Sequence, residues 1–380
     1  MSQKSTIDKN TLTLNSDAVY GIEAFSSDQN TITNNKFEAN GKQTYGFIFS
    51  NSNNNTIYKN TISTKGTGEQ IGINLDSIPA GNAGIFLKSV STGNLIEENT
   101  ITSLKGYAII VDDEAINNRI IKNKLDSEKG VGDDAINNTE DNFIEGNWKY
   151  TFKSRIDTKF TSNYLETLTI SMTIDSGTVV KFFIGDNEIG TATSVNGKAT
   201  LNYKLDESLT PTKYTIKAIA SKKNYQEKEI KSNLVINKGN LDVLFEDVSV
   251  AYNEGKGTFT ATVKNSLGEG VSGLDVKFYI YSEGMYVPLV STTTDGTGVA
   301  TSVTDLAYGL GDYVISANVS DTGKIKKFNS INKKANLIIN NAGIKLMFDD
   351  VSANRLSKVT FTATVSDAHN DGVSGLNVKF

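Results

Sequence analysis

Asn30 to Phe37 reads NTITNNKF, and its frame, Asn-x-Ile-x-x-Asn-x-apolar, decides the fold of the first 150 residues. The frame returns as Asn55 to Ile62 (NTIYKNTI), Asn94 to Ile101 (NLIEENTI), Asn118 to Leu125 (NRIIKNKL) and, fading, Asn142 to Lys149 (NFIEGNWK). The intervals are 25, 39, 24 and 24 residues, and the long one equals a period plus 15. A fixed period in this range means one supersecondary unit stacked on copies of itself.

Each unit carries a second apolar run half a period later: Tyr20-Gly21-Ile22, Tyr45 to Phe49, Ala83 to Leu87, Tyr107 to Val111 and Asp134-Ala135-Ile136. These runs are short, β-branched or aromatic, and bounded by Asn, Gly, Ser and Asp, which is strand chemistry. No run shows a sustained helical period. Two or three strands per 24 residues describe one coil of a parallel β-helix, with about five or six coils over residues 1–150. A polar residue that recurs in every coil stacks on its copy at the strand spacing. An Asn amide can donate to one neighbour, accept from the other and tolerate a left-handed corner. The frame asparagines therefore read as a structural ladder, with Ile and Phe filling the interior. Trp148, the one tryptophan, and Phe152 are expected to close that interior where the repeat stops.

A different repeat follows. Phe259 to Phe278 and Phe361 to Phe380 match at 13 of 20 positions, 102 residues apart. Alternating strands with frequent turn signals at that period point to β-sandwiches. A divergent copy precedes them: Val180 to Ile184 matches Val276 to Ile280, and Tyr214 to Ala218 matches Tyr313 to Ala317. Leu209 to Tyr214 has the form of a tyrosine corner, and Leu310 to Tyr313 is a looser version. The expected domains are residues 1–150, 151–238, 239–340 and 341–380, the last an incomplete sandwich. An open first coil and a short last domain lead to the expectation of a fragment of a longer protein.

Composition narrows the functions. The net charge is −5 with no basic stripe, which argues against nucleic acid and anionic membrane as partners. Cysteine is absent, so disulfides and thiolate metal sites are excluded. No apolar run is long enough to span a bilayer, so no direct membrane insertion is expected.

The Asn-x-Ile-x-x-Asn coil resembles the right-handed parallel β-helix of pectate-lyase-like and carbohydrate-binding repeat proteins. Gly270 to Val276 with Thr294 to Thr301 is similar to bacterial Ig-like domains of the invasin and intimin type. Together they resemble the adhesin-like surface proteins of methanogenic archaea. The resemblance implies an all-β chain, a right-handed parallel β-helix followed by tandem Ig-like β-sandwich domains. It also implies an extracellular, cell-surface location, with the solenoid as recognition head and the sandwiches as stalk. Cell-surface glycans or surface proteins of another cell would be the partners.

The competing reading is a polysaccharide-degrading enzyme, which would need converging carboxylates. The candidates are Asp76, Asp112, Asp113, Glu114, Asp133 and Asp134. Stacking Gly46, Gly72 and Ala108 would place Ser50, Asp76 and Asp112 at equivalent turns, with Asp133 and Asp134 at another corner. A purely structural stalk is the third reading. No catalytic set is assigned. The candidate binding residues are Asp76 and Pro79, Asp112 and Asp113, and Tyr20, Tyr45 and Tyr107. The first pair lies in the 15-residue excess, placed at Ile73 to Ala83, because solenoid insertions bulge from one face. The tyrosines, if exposed, would form a strip able to stack on sugar rings. Calcium is the one cofactor the acidic pairs admit, at Glu246 and Asp247 or at Asp349 and Asp350. His369, the single histidine, has no partner set for catalysis, and the sequons at Asn54, Asn137 and Asn318 carry little weight in an Asn-rich chain.

Overall fold

The computed structural model describes residues 4–69, 71, 82–252, 255–341, 343–367 and 370–380. They form two compact units: Met1–Thr158 with Thr169–Leu201 and Thr215–Asn233, and Lys159–Leu168 with Asn202–Tyr214 and Leu234–Phe380. The chain is all-β, a right-handed parallel β-helix followed by Ig-like sandwiches.

In the first unit the solenoid has three parallel sheets. The first stacks Thr6–Asp8, Thr31–Thr33, Thr56–Tyr58, Leu95–Glu97, Arg119–Ile121 and Phe143–Glu145. The second stacks Thr11–Asn15, Lys36–Asn40, Thr61–Thr64, Thr100–Ser103, Lys124–Ser127 and Trp148–Tyr150. The third stacks Ala18–Phe25, Gln43–Ser50, Ala83–Lys88 and Tyr107–Val111. Each Asn-x-Ile-x-x-Asn-x-apolar frame is thus two short strands around a corner. Ile32, Ile57, Ile96 and Ile120 stack in register inside the first sheet, and Phe37, Ile62, Ile101 and Leu125 inside the second. Phe47, Phe49, Ile85, Leu87, Ile109 and Val111 fill the third side of this core.

Both frame asparagines build ladders. In the first, Asn30, Asn55, Asn94 and Asn118 each donate a main-chain N–H and a side-chain amide hydrogen to the Oδ1 of the next copy, ending on Asn142. The second runs from Asn10 through Asn35, Asn60, Asn99 and Asn123 to Asn147 in the same manner. The remaining amide hydrogen goes to a main-chain carbonyl one coil back, as from Asn99 to Ile57 at 2.8 Å. Most of these side chains are buried. Burying a polar group is tolerable only when its hydrogen bonds are made, and here donors and acceptor are all used.

The left-handed corner falls one residue before each ladder asparagine rather than on it. Asn34, Lys59, Glu98, Lys122 and Gly146 have φ between 54 and 67°. A third column, not expected, joins Ser27, Ser52 and Ser91 at another corner, each main-chain N–H donating to the next Oγ.

The insertion also has a different register from the one expected. Lys65, Thr67 and Gly68 still donate to Ala39, Gly41 and Lys42 of the coil below, and the third-sheet strand resumes at Ala83. Tyr45 pairs with Ala83, which pairs with Tyr107, so Gly84 rather than Gly72 stacks between Gly46 and Ala108. Ser50, Lys88 and Asp112 therefore share a turn. Asn82 closes the insertion: its buried Oδ1 accepts from the N–H and hydroxyl of Thr44 at 2.8 and 3.0 Å.

The solenoid stops because its apolar slot stops being apolar. Lys149 occupies the position of Ile62, Ile101 and Leu125, and its Nζ pairs with Asp126 at 2.7 Å. A short 3-10 turn at Gly132–Ala135 buries Ala135 beneath the core. The exposed edge of Trp148–Tyr150 is then taken by Asn224–Tyr225, which adds as a parallel seventh strand. Phe152 is buried and stacks on Tyr225 at 4.7 Å, as expected of a closing residue, whereas Trp148 faces outward and is only partly covered. The rest of this unit includes Val179–Ile184, antiparallel both to Asn187–Thr193 and to residues 216–221.

In the second unit Lys256–Asn265 pairs with Leu241–Phe245 on one side and Val299–Asp305 on the other. The opposing sheet runs Val248–Ala251, Ile331–Asn340, Gly311–Ser320, Asp275–Ser282, Met285–Thr293. Its first pair is parallel and the others antiparallel. Phe245 and Phe259 meet Phe278 across the interior at 5.4 and 5.7 Å. Both tyrosine corners are present and alike: the Tyr214 hydroxyl donates to the Thr210 carbonyl and that of Tyr313 to Gly309, each at 3.0 Å. Beyond residue 343, Lys345–Phe348 pairs with Ala363–Ser366. Among the described residues no helix is long and apolar enough to cross a membrane.

Candidate functional site

The tyrosine column does not form a surface strip. Tyr20 stacks on Tyr45 at 5.8 Å, but Tyr45 is fully buried. Desolvation pushes its hydroxyl up to about 12. Tyr45 belongs to a second apolar cluster with Ile48, Ala83, Phe86 and Ile110, against which Tyr20 and Tyr107 pack. The column is also interrupted, because Ala83 lies between Tyr45 and Tyr107. A buried ring cannot stack on a sugar.

Asp76 and Pro79 lie outside the described residues, as does His369. Asp112 is partly buried at a turn, where its carboxylate accepts the Ser89 N–H at 2.9 Å and desolvation raises its pKa. Asp113 accepts from the Asn138 amide at 3.2 Å. Asp133 accepts from Asn147, and Asp134 accepts from Lys223 at 2.8 Å, whose ammonium and the Asn224 amide hold that carboxyl below its ordinary value. Among the described residues no group of three or more acidic or histidine side chains is placed to hold a metal. Glu246, Asp349 and Asp350 are exposed, and Asp247 accepts both the main-chain N–H and the side-chain amide of Asn336. That carboxylate fastens Val248–Ala251 beside Ile331–Asn340. Asn137, one of the sequon residues, has its amide oxygen on the Val111 N–H at 2.6 Å.

One concavity of the first unit was not foreseen. It is an open cleft of about 1050 Å³ beside the last coils of the solenoid. One wall is the outward row of those coils, Arg119, Lys122, Lys124, Glu145 and Trp148, and the other is the loop from Ser221 to Glu227. The row exists because strand residues alternate. With Ile120 and Leu125 inside, Arg119, Ile121 and Lys124 point out. Register then sets Trp148 beside Lys124, whose Nζ lies 5.6 Å from the indole centroid. Arg119 lies 4.7 Å from the Phe143 ring. The loop wall is fixed by its seventh-strand pairing, by the Lys223–Asp134 bridge and by the Lys222 Nζ on the Ser176 carbonyl at 2.8 Å.

Such a lining offers donors, acceptors, the aromatic side chains of Trp148 and Tyr225, and an aliphatic share from Ile121 and Val179. The chain distance between residues 119–148 and 221–227 hid it from sequence reasoning. The one local signal was a lone tryptophan at an outward strand position.

The family model for the right-handed beta helix region matches residues 1–148. Among solved structures, the tetra-tandem repeat in the extending region of a large adhesion protein is similar over 59% of this chain and 67% of that one, at 16% identity and a TM-score of 0.29. The Ig1–Ig2 pair of DIP-gamma covers 50% of this chain and 98% of its own at 12% identity and a TM-score of 0.22. A Salmonella alpha-2-macroglobulin mutant covers 57% and 16% at 10% identity and a TM-score of 0.21. No curated protein matches the chain.

Proposed function

We propose that this chain is part of a cell-surface adhesin, displayed outside the cell. In this reading the solenoid is the recognition head and the Ig-like sandwiches are the stalk. Its partners are glycans or surface proteins of another cell, not nucleic acid and not a bilayer. The observation that carries the reading is how the chain uses its polar residues. The repeating asparagines and serines are spent on each other, and the acidic candidates on main-chain and side-chain donors. What remains for the outside is surface, presented by a scaffold that lengthens by repetition.

The test is twofold. Fluorescently labelled full chain is applied to whole cells and to a glycan array, and the same protein is assayed for reducing ends and unsaturated products on pectin, alginate and mixed glycans. Saturable binding without turnover supports the adhesin. Turnover that Asp112→Ala abolishes would overturn it in favour of a polysaccharide-degrading enzyme. Blank binding in every format leaves a purely structural stalk.

A further inference from the structure

The cleft beside the last coils has a composition that selects among ligands. An apolar ligand would leave Arg119, Lys124 and Glu145 desolvated without a partner, which is costly for charged groups. A polyanion would be drawn to the cations but repelled by Glu98, Glu145 and Glu227 of the same lining. A polyhydroxylated ligand suits both signs, because each hydroxyl donates to a carboxylate and accepts from an ammonium or guanidinium. The indole of Trp148 supplies what a sugar ring adds to its hydroxyls, a flat apolar face of C–H groups. Among the described residues neither Arg119 nor Lys124 has a carboxylate partner within salt-bridge distance. Their side chains lie against aromatic faces, which leaves guanidinium and ammonium hydrogens to be satisfied from the cleft. The space, about 1050 Å³, is enough for a few sugar units rather than one.

We infer that this cleft is an oligosaccharide-binding site in which Trp148 stacks on a sugar ring while Arg119, Lys124 and Glu145 hydrogen-bond its hydroxyls. The inference rests on the recognition-head reading and places the recognition away from the tyrosine column and the insertion. It also gives the seventh strand a second role, since Asn224–Tyr225 closes the solenoid and forms the far wall of the site.

Trp148 is the only tryptophan, so its fluorescence reports on this place alone. The full chain is titrated with tetrasaccharides of neutral hexoses and of uronic acids, by tryptophan emission and by calorimetry. The expected result is a saturable emission change with at least one tetrasaccharide, together with heat of the same midpoint. Trp148→Ala and, separately, Arg119→Gln should each weaken the calorimetric affinity by about tenfold or more, with an unchanged thermal midpoint in Arg119→Gln showing that the fold is intact. No emission change and no heat with any tetrasaccharide overturns the proposal. So does affinity unaltered in Arg119→Gln, or binding confined to an acidic peptide control. The adhesin reading fails independently. Cell binding that survives Arg119→Gln and excess tetrasaccharide keeps the adhesin and removes the cleft, whereas tetrasaccharide binding without cell binding does the reverse.

Discussion

Asn99 donates its main-chain N–H to Asn123 Oδ1 at 2.9 Å and a side-chain hydrogen to the same oxygen at 3.0 Å, while its own Oδ1 receives the same pair from Asn60. Removing that side chain strands partners in the coil before it. Asn99→Ala leaves the Asn60 N–H, one Asn60 amide hydrogen and the Ile57 carbonyl without their acceptor or donor. At about 1–3 kcal/mol for each buried orphan, partly relieved by relaxation, the loss should be about 3–5 kcal/mol. Urea unfolding of Asn99→Ala against an exposed control such as Lys36→Ala measures it. A loss below about 1 kcal/mol would mean that the ladder contributes far less than its geometry implies.

The column Gly21, Gly46, Gly84, Ala108 predicts an asymmetry. A Cβ on Gly46 would overlap the Gly84 carbonyl oxygen, and one on Gly84 would overlap the Ile101 side chain. The last coil already accommodates that methyl as buried Ala108. Gly46→Ala and Gly84→Ala should each lower stability by about 2 kcal/mol or more, in the range of overpacked cores. Ala108→Gly should cost only about 1 kcal/mol. Thermal midpoints of the three variants decide the order.

The bridge from Lys223 to Asp134 makes the end of the solenoid sensitive to acid. The folded state lowers the Asp134 pKa, chiefly through the hydrogen bond from Lys223 and then that from Asn224. A depressed carboxyl contributes stability above its unfolded pKa, about 3.9, and loses it as pH falls through the folded value. Hydrogen exchange at Trp148–Tyr150 should therefore quicken as the pH drops below about 4, after correction for intrinsic exchange. Asp134→Asn should flatten that dependence. The carboxylate is half exposed, so the effect is a modest one.

Tyr214 tests the sandwich corner. Its hydroxyl holds the Thr210 carbonyl four residues upstream. Tyr214→Phe keeps the ring and removes one hydrogen bond, for an expected loss of about 1 kcal/mol. An unchanged urea midpoint would show that the corner is held by packing alone.

The coil was legible because its period is written in residue types that can do only a few things when stacked. Ile at one frame position and Asn at two others leave a single arrangement in which both are satisfied. The corners were less legible. Their left-handed residues include Gln29, Lys59 and Glu98, which carry no glycine signature, because neighbouring coils impose the geometry. The insertion misled by local likeness, since Gly72 and Gly84 both precede isoleucine and only pairing with Tyr45 and Tyr107 separates them. Burial of Tyr45 was hidden for a related reason, as an outward position on a solenoid strand is ordinarily wet. The cleft was invisible to any reading along the chain, because its walls come from residues about a hundred positions apart.

Lys149 has a consequence for how such a chain can evolve. Tandem duplication lengthens a solenoid when each new coil presents to the next the face it received. A duplicated interior unit, with Ile or Leu in the apolar slot, satisfies that condition at both ends. The Lys149 unit does not, because it offers the next coil an ammonium where each interior unit offers Ile or Leu. Repeat number can therefore drift in the middle of the solenoid while this boundary, and the strand that docks on it, stays in place through every change of length.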